Sequence, residues 1–504
     1  MDRRRFLQRA GIGVATAVGI GTETAGARNE PPRGPARSAQ NFGRLFPHLP
    51  AFAEASPALD AALRELGRPG GLMDARDALE RGPVDLIVDP ALSLDNPNNP
   101  THTAGTTFMG QFMDHDMTFD TTSFLGVPTP PESAPNARTP GFDLDSVYGA
   151  GPAGSPHLYD GIRLRVESSG RFEDVPRTQD GTAIIADPRN DEHVIISGLQ
   201  SAFLCFHNRA VDHVEARDRS AGSEQVFARA RRLTTWHYQW LILHEFLPLF
   251  VGDAVARSLL RRGRRVYRPK VAFIPIEFQG AAYRFGHSMV RPSYRANLAG
   301  DSGSPFFGLI FDPAAGGADP SDLRGGARAP RRFVGWQTFY DFGDGQVKPN
   351  KLIDTRISTP LFDLPLGAIA SHDLPTALPQ RNLLRHVTWG MPSGQRIARE
   401  IGVDRLSRRD LDELSGLGAN LDRSTPLWYY VLKEAELIED GRRLGPVGAR
   451  IVGEVIVGLL ELDPLGYLTV DPGWRPTLPS TSPGDFRMTD FLRFAGVDPA
   501  SRGQ

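Results

Sequence analysis

Cysteine is all but missing. Cys205 is the one example in 504 residues, which excludes a disulfide within the chain and leaves packing and bound ligands to hold the fold. A surplus of charge is missing too. Against 59 Asp and Glu stand 57 Lys and Arg, so there is no basic field for a polyphosphate backbone and nucleic acid is not expected as a partner. Beyond the N-terminus no apolar run approaches the roughly 20 residues of a membrane-spanning helix. No HExxH pair, internal repeat or linker between two folding units is present, and nothing specifies an oligomeric state. Glycine (53) and proline (42) are plentiful while hydrophobic residues still make up 40%, which implies long loops around a sizeable core. Cys205 itself lies in the apolar helical stretch AFLCFHNR and reads as a structural thiol rather than a nucleophile.

The N-terminus is organised as an address. Arg3-Arg4-Arg5-Phe6-Leu7 precedes a weakly apolar run, Ala10 to Gly21, and the small-residue group Ala25-Gly26-Ala27. This resembles a twin-arginine export signal over residues 1–27, with a mature chain that starts near Arg28 in the periplasm or outside the cell. Residues 28–70, rich in Pro, Gly and Arg at first, are expected as an extended surface arm, and 71–504 as one large, mainly α-helical domain.

Helical periodicity supports that class. Leu199, Phe203, Phe206 and Ala210 fall at i, i+4, i+7 and i+11, and Trp236, Trp240, Leu243 and Leu247 repeat the spacing, so both stretches are expected as core helices. Further helices are expected over 103–117, 281–290, 392–401, 407–414, 428–438 and 445–460, and a strand over 161–167. His237 and His244 lie seven apart on one helix; without a third ligand they read as packing residues rather than a metal pair.

Chemistry concentrates in GQFMDHDMTFD, residues 110–120. At 3.6 residues per turn Gln111, Asp114 and His115 share a helix face, while Asp116 points about 100° further round. From the residues alone three readings stand: a surface triplet without function, a divalent-metal hydrolase site, or a histidine general base over a cofactor. The loop RTPGFDLDSVYG (138–149) sets Thr139, the Gly141 carbonyl, Asp143 and Asp145 at alternate positions, where with Asp116 they could meet on a hard cation. ADPRNDEH spaces Arg189 and Glu192 at i and i+3, AYRFGHS brings Arg284 and His287, and NLLRHVTWGMP spaces Asn382 and Arg385 at i and i+3.

In this order the five motifs resemble the animal-type haem peroxidase superfamily of the myeloperoxidase and peroxidasin type, in its bacterial branch, over about residues 70–490. The resemblance implies the large single-domain animal haem peroxidase fold, with haem b between distal and proximal helices. It makes His287 the iron ligand, Asn382 the acceptor of its other ring proton, and Arg284 and Arg385 partners of the propionates. His115 becomes the distal acid/base with Arg189 and Gln111 beside it. Asp116, Thr139, Gly141, Asp143 and Asp145 match the calcium site, and Asp114 and Glu192 match the carboxylates that esterify haem methyls in mammalian members. Hydrogen peroxide and small electron donors would be the partners. His193 stands where the chloride-oxidising mammalian member has a methionine that makes a third haem link, so bromide, iodide, thiocyanate or small phenols are the expected donors. Two rivals remain: a fatty-acid dioxygenase using Tyr340 as its radical residue, and an adhesion protein that keeps the fold without the catalysis.

Overall fold

Apolar side chains at helical spacing dominate the sequence, and helices carry the architecture. The computed structural model describes residues 40–168, 172–326, 330–369 and 371–503; the export signal expected over 1–27 and the first part of the expected arm lie outside the described residues. The helices that position the site are α1 (Pro57–Leu66), α2 (Ala104–Met117), α3 (Val194–Arg217), α4 (Ser223–Leu241), α5 (Leu378–Thr388), α6 (Leu427–Ile438), α7 (Pro446–Glu461) and α8 (Met488–Ala495). Among the described residues, strands occur only as four two-stranded antiparallel ribbons, the two longer of which pair β1 (Asn98–Thr103) with β4 (Pro349–Lys351) and β2 (Ser293–Asp301) with β3 (Ser304–Leu309).

The central element is α3. Leu199, Phe203, Phe206 and Ala210 are fully buried, as their spacing requires. Phe203 stacks face to face on Phe112 of α2 at 4.4 Å, and one turn on Phe206 does the same with Phe491 of α8. Each such phenyl contributes up to about 3 kcal/mol by leaving water, so the aromatic column fixes α2 against α3 and with it the face that carries His115.

Four expectations are corrected. The segment expected as a surface arm is, from Phe42 on, part of the core: Phe42, Phe46 and Phe52 are buried, and α1, capped by Ser56, buries Leu59, Leu63 and Leu66 against α5. Its prolines interrupt helices, but apolar residues between them still drive burial. The expected strand 161–167 survives only as Arg163–Leu164 and Glu167–Ser168, which pair with different partners. The helix expected through Leu247 widens into a π-turn over Ile242–Phe246. Pro248 has no N–H for the His244 carbonyl four residues back, and Arg487 Nη1 donates to that carbonyl instead at 3.3 Å. Similarly, 281–290 forms a 3₁₀ turn, Ala282–His287, rather than a full helix.

Candidate active site

α2 supplies one wall. The His115 ring, 4% exposed, has Nδ1 2.8 Å from Asn190 Oδ1, while Asn190 Nδ2 donates to Gln200 Oε1 at 2.8 Å. That outer bond turns the Asn190 oxygen toward the ring, so the imidazole proton sits on Nδ1 and the Nε2 lone pair is left free. Burial, reinforced by the positive Arg189, pushes the His115 pKa down to about 4. At neutral pH it is an uncharged base. Glu192 Oε2 lies 4.0 Å from His115 Nε2 and accepts from Gln111 Nε2 at 3.1 Å; Gln111 Oε1 lies 2.8 Å from His193 Nε2. The Glu192 carboxyl is pushed up to about 8 by burial, which the opposing field of Arg189 does not overcome.

Arg189 is held rather than loose. Its Nε and Nη2 donate to Asp187, Nη2 also donates to the His115 carbonyl at 2.9 Å, and its guanidinium lies 4.2 Å from the centre of the Phe119 ring. Nη1, 3.9 Å from Asp114 Oδ2, is the arm left for a ligand. Burial would raise the fully buried Asp187, but Arg189 and Arg138 overcome it and hold the carboxyl well below the usual carboxylate range. Glu192 is braced from behind: Gly325 N–H donates to its carbonyl at 2.9 Å, and a side chain at 325 would collide with the Asp191 backbone.

The second wall is the turn ending at His287. Asn382 of α5 lies 2.7 Å from His287 Nδ1 through Nδ2, and Arg284 Nη1 donates to Asn382 Oδ1 at 3.4 Å. In this arrangement Nδ1 accepts and Nε2 carries the proton. This differs from the expected arrangement, Oδ1 accepting from an Nδ1–H with Nε2 free for a metal, which needs the amide turned end for end and its oxygen taken away from Arg284 Nη1. Burial, then Arg284 and Arg385, push the His287 pKa down to about 3, so the ring is neutral. Arg284 is itself pushed down to about 9 by burial and by Arg385. Arg385 meets Asp120 at 3.6 Å, while its Nε has no hydrogen-bond partner.

The two walls face one space. Tyr283, one residue before Arg284, donates to the Gly110 carbonyl of α2 at 3.1 Å, and the charge of Asp114 on α2 acts on Arg284, Arg385 and Tyr283. A side chain added at Gly286 would meet nothing within 4 Å. Two crowded guanidiniums with an unsatisfied N–H, a neutral histidine and open room beside Gly286 fit a flat, dianionic metal macrocycle such as haem.

On the far side of α2, Asp116 accepts from Leu144 N–H (3.1 Å) and Ser146 Oγ (3.0 Å), and its carboxylate gathers with those of Asp143 and Asp145 within 4.8 Å. Burial and the neighbouring acids push Asp116 well up, and Asp145 up to about 7. Three carboxylates crowded in this way suit a hard cation. Thr139 joins them through its backbone N–H, which donates to Asp145 at 2.9 Å.

The structure therefore brings Gln111, Asp114, His115, Arg189 and Glu192 to one wall, Arg284, His287, Asn382 and Arg385 to the other, and Asp116, Asp143 and Asp145 to a separate cluster. Asp187, Asn190, Gln200, Asp120 and Tyr283 escaped the sequence reading. Asp187 had a local signal, an N-cap directly before Pro188; the others are united only by tertiary contact. His237 and His244 are packing residues, the first bonded to the Leu233 carbonyl, the second stacked 3.8 Å from Trp240. Tyr340 donates to the Gly105 carbonyl at 2.9 Å. Cys205 is half-buried, its thiol pushed up to about 11 by burial.

Comparison with known proteins agrees with this architecture. The animal haem peroxidase family matches residues 121–305. A human protein described as probable oxidoreductase PXDNL is 32% identical over 152 residues, 28% of this chain and 10% of its own length. The matches to the first curated relatives span a quarter of their lengths or less. Peroxidase A from Dictyostelium discoideum superposes with a TM-score of 0.60 over 90% of this chain and 93% of its own, at 16% identity. A fatty acid alpha-dioxygenase from Arabidopsis thaliana superposes at 0.54 over 86% and 75%, at 14% identity. The chain thus shares a mainly helical fold with Peroxidase A along nearly its whole length, and its central residues 121–305 match the animal haem peroxidase family.

Proposed function

We propose that the protein is an exported haem peroxidase of the bacterial branch that reduces hydrogen peroxide and oxidises bromide, iodide, thiocyanate or small phenols. The observation that carries this reading is the tautomer of His115: a neutral ring with its proton on Nδ1 and a free Nε2, opposite a second neutral histidine. His287 would hold the iron of haem b, Arg284 and Arg385 its propionates, and Asp114 and Glu192 any ester links. Bound there, haem supplies the electron-transfer chemistry that no side chain can provide.

The side chains do the rest. His115 Nε2 takes a proton from peroxide and returns it to the departing oxygen, which leaves as water. Nη1 of Arg189, its other arms tied to Asp187 and the His115 carbonyl, stabilises the charge on that oxygen without reorganising. Asp116, next to His115 and anchored to the 138–146 loop with calcium, holds the base from behind. Thr139 and Gly141 complete that calcium site in this proposal, and the peroxidase domain takes in the core residues from Phe42 on.

The test is the absorption spectrum with peroxide-dependent iodide oxidation. Purified wild type shows a Soret band, and His287→Ala loses it. His115→Gln keeps the band while the rate falls by about 10²–10⁴. A wild type without a Soret band, or a His115→Gln enzyme of undiminished rate, overturns the proposal.

A further inference from the structure

The side chain of Gln111 has two chemically opposite ends, and an amide in a cavity wall can present either one. Its surroundings leave one orientation. His193 begins α3 as the N-cap, where its Nδ1 accepts the Ile196 N–H at 3.2 Å, so the ring proton sits on Nε2. Nε2–H donates to Gln111 Oε1 at 2.8 Å, and the amide nitrogen is thereby turned to Glu192 Oε2, 3.1 Å away. That same oxygen lies 4.0 Å from His115 Nε2. The His193 ring is 3% exposed, with Phe108 edge-on at 5.0 Å and Phe311 at 6.3 Å, so its plane is fixed by packing. Burial pushes its pKa down to about 3, which keeps the ring a neutral, single-proton donor at neutral pH.

We infer that His193 is a positioning residue that sets the polarity of Gln111, so that the wall beside His115 offers an amide N–H to a small anion instead of a carbonyl oxygen. One N–H of the amide goes to Glu192 and the second is left for a ligand. The contact itself is independent of the peroxidase reading; the ligand consequence rests on it.

The two ring nitrogens of His193 have different jobs, and two substitutions separate them. His193→Asn places an amide near Nδ1, keeps an N-cap and is too short to reach Gln111. His193→Gln places an N–H near Nε2, keeps the contact and loses the cap. Fluoride, a small anion that accepts hydrogen bonds, is titrated into the haem-bound protein by absorption. Affinity is expected to fall about five- to tenfold in His193→Asn, the loss of one neutral hydrogen bond. It falls equally in Gln111→Leu, no further in the double variant, and stays at the wild-type value in His193→Gln even though that variant unfolds at lower temperature. Urea unfolding of the cofactor-free chain supplies a second cycle, in which the effects of His193→Asn and Gln111→Leu are expected to be non-additive.

Additive effects in the unfolding cycle show that His193 does not hold Gln111 and overturn the inference. So does coupling in unfolding with unchanged fluoride affinity in His193→Asn, which would make His193 structural support only. A wild type that binds no haem defeats the peroxidase reading instead, and the unfolding cycle still decides whether His193 holds Gln111.

Discussion

Single residues here are defined by what stands behind them. His115 is a base because Asn190, aligned by Gln200, fixes its proton on Nδ1. Glu192 offers a test of this environment. Its carboxyl has an ordinary value of 4.5 when unfolded and is pushed up to about 8 by burial in the folded chain. Between those values the native state holds a proton that the unfolded state has released, so stability falls as pH rises through the window and levels off above it. Glu192→Gln removes the titration. Urea unfolding of the cofactor-free chain should show variant and wild type converging below pH 4.5, and the variant ahead by up to a few kcal/mol at pH 8; a gap that is the same at both pH values would refute the assignment. At this scale the sequence was a partial guide. The shared face of Gln111, Asp114 and His115 follows from helical geometry, whereas Asn190 and Gln200 reach His115 from 75 and 85 residues away, and no local pattern encodes that.

At the scale of elements, α2 is clamped between two functions. Its cavity face meets Glu192 and Arg189, and its opposite face ties Asp116 to the loop that carries Asp143 and Asp145. Three carboxylates, the buried Asp116 and the half-buried Asp143 and Asp145, repel one another when ionised, so a bound divalent ion should stabilise the element. Calcium is expected to raise the thermal midpoint by a few degrees relative to a chelator, equivalent to about 2.7 kcal/mol at roughly 100-fold excess over Kd. Asp143→Asn should abolish most of the response. An unchanged midpoint on adding calcium removes the ion from the account. The π-turn after α4 shows the limit of periodicity: the apolar spacing through Leu247 is correct, yet Pro248 forces one wider turn within it, and Arg487, over two hundred residues on, satisfies the freed carbonyl.

At the scale of the molecule, the fold is shared by peroxidases and by fatty-acid dioxygenases, so architecture alone does not choose between them. The candidate radical residue read from sequence, Tyr340, spends its hydroxyl on the Gly105 carbonyl, while Tyr283 lies between the two walls with its hydroxyl on Gly110. With an unsaturated fatty acid and oxygen but no peroxide, the peroxidase reading expects no oxygen uptake; uptake that disappears in Tyr283→Phe would replace it with the dioxygenase. The sequence by itself determined the helical class, the core faces of α3 and α4, and the division of Asp114 from Asp116, because these follow from periodicities of a few residues. Only the tertiary structure decided which nitrogen of His115 is free, which end of Gln111 faces Glu192, and that residues 42–66 are core rather than arm. Each of those depends on a partner far along the chain, and burial is what makes the partner's identity matter: once water is excluded, a polar group's orientation is set by the few groups that remain within reach.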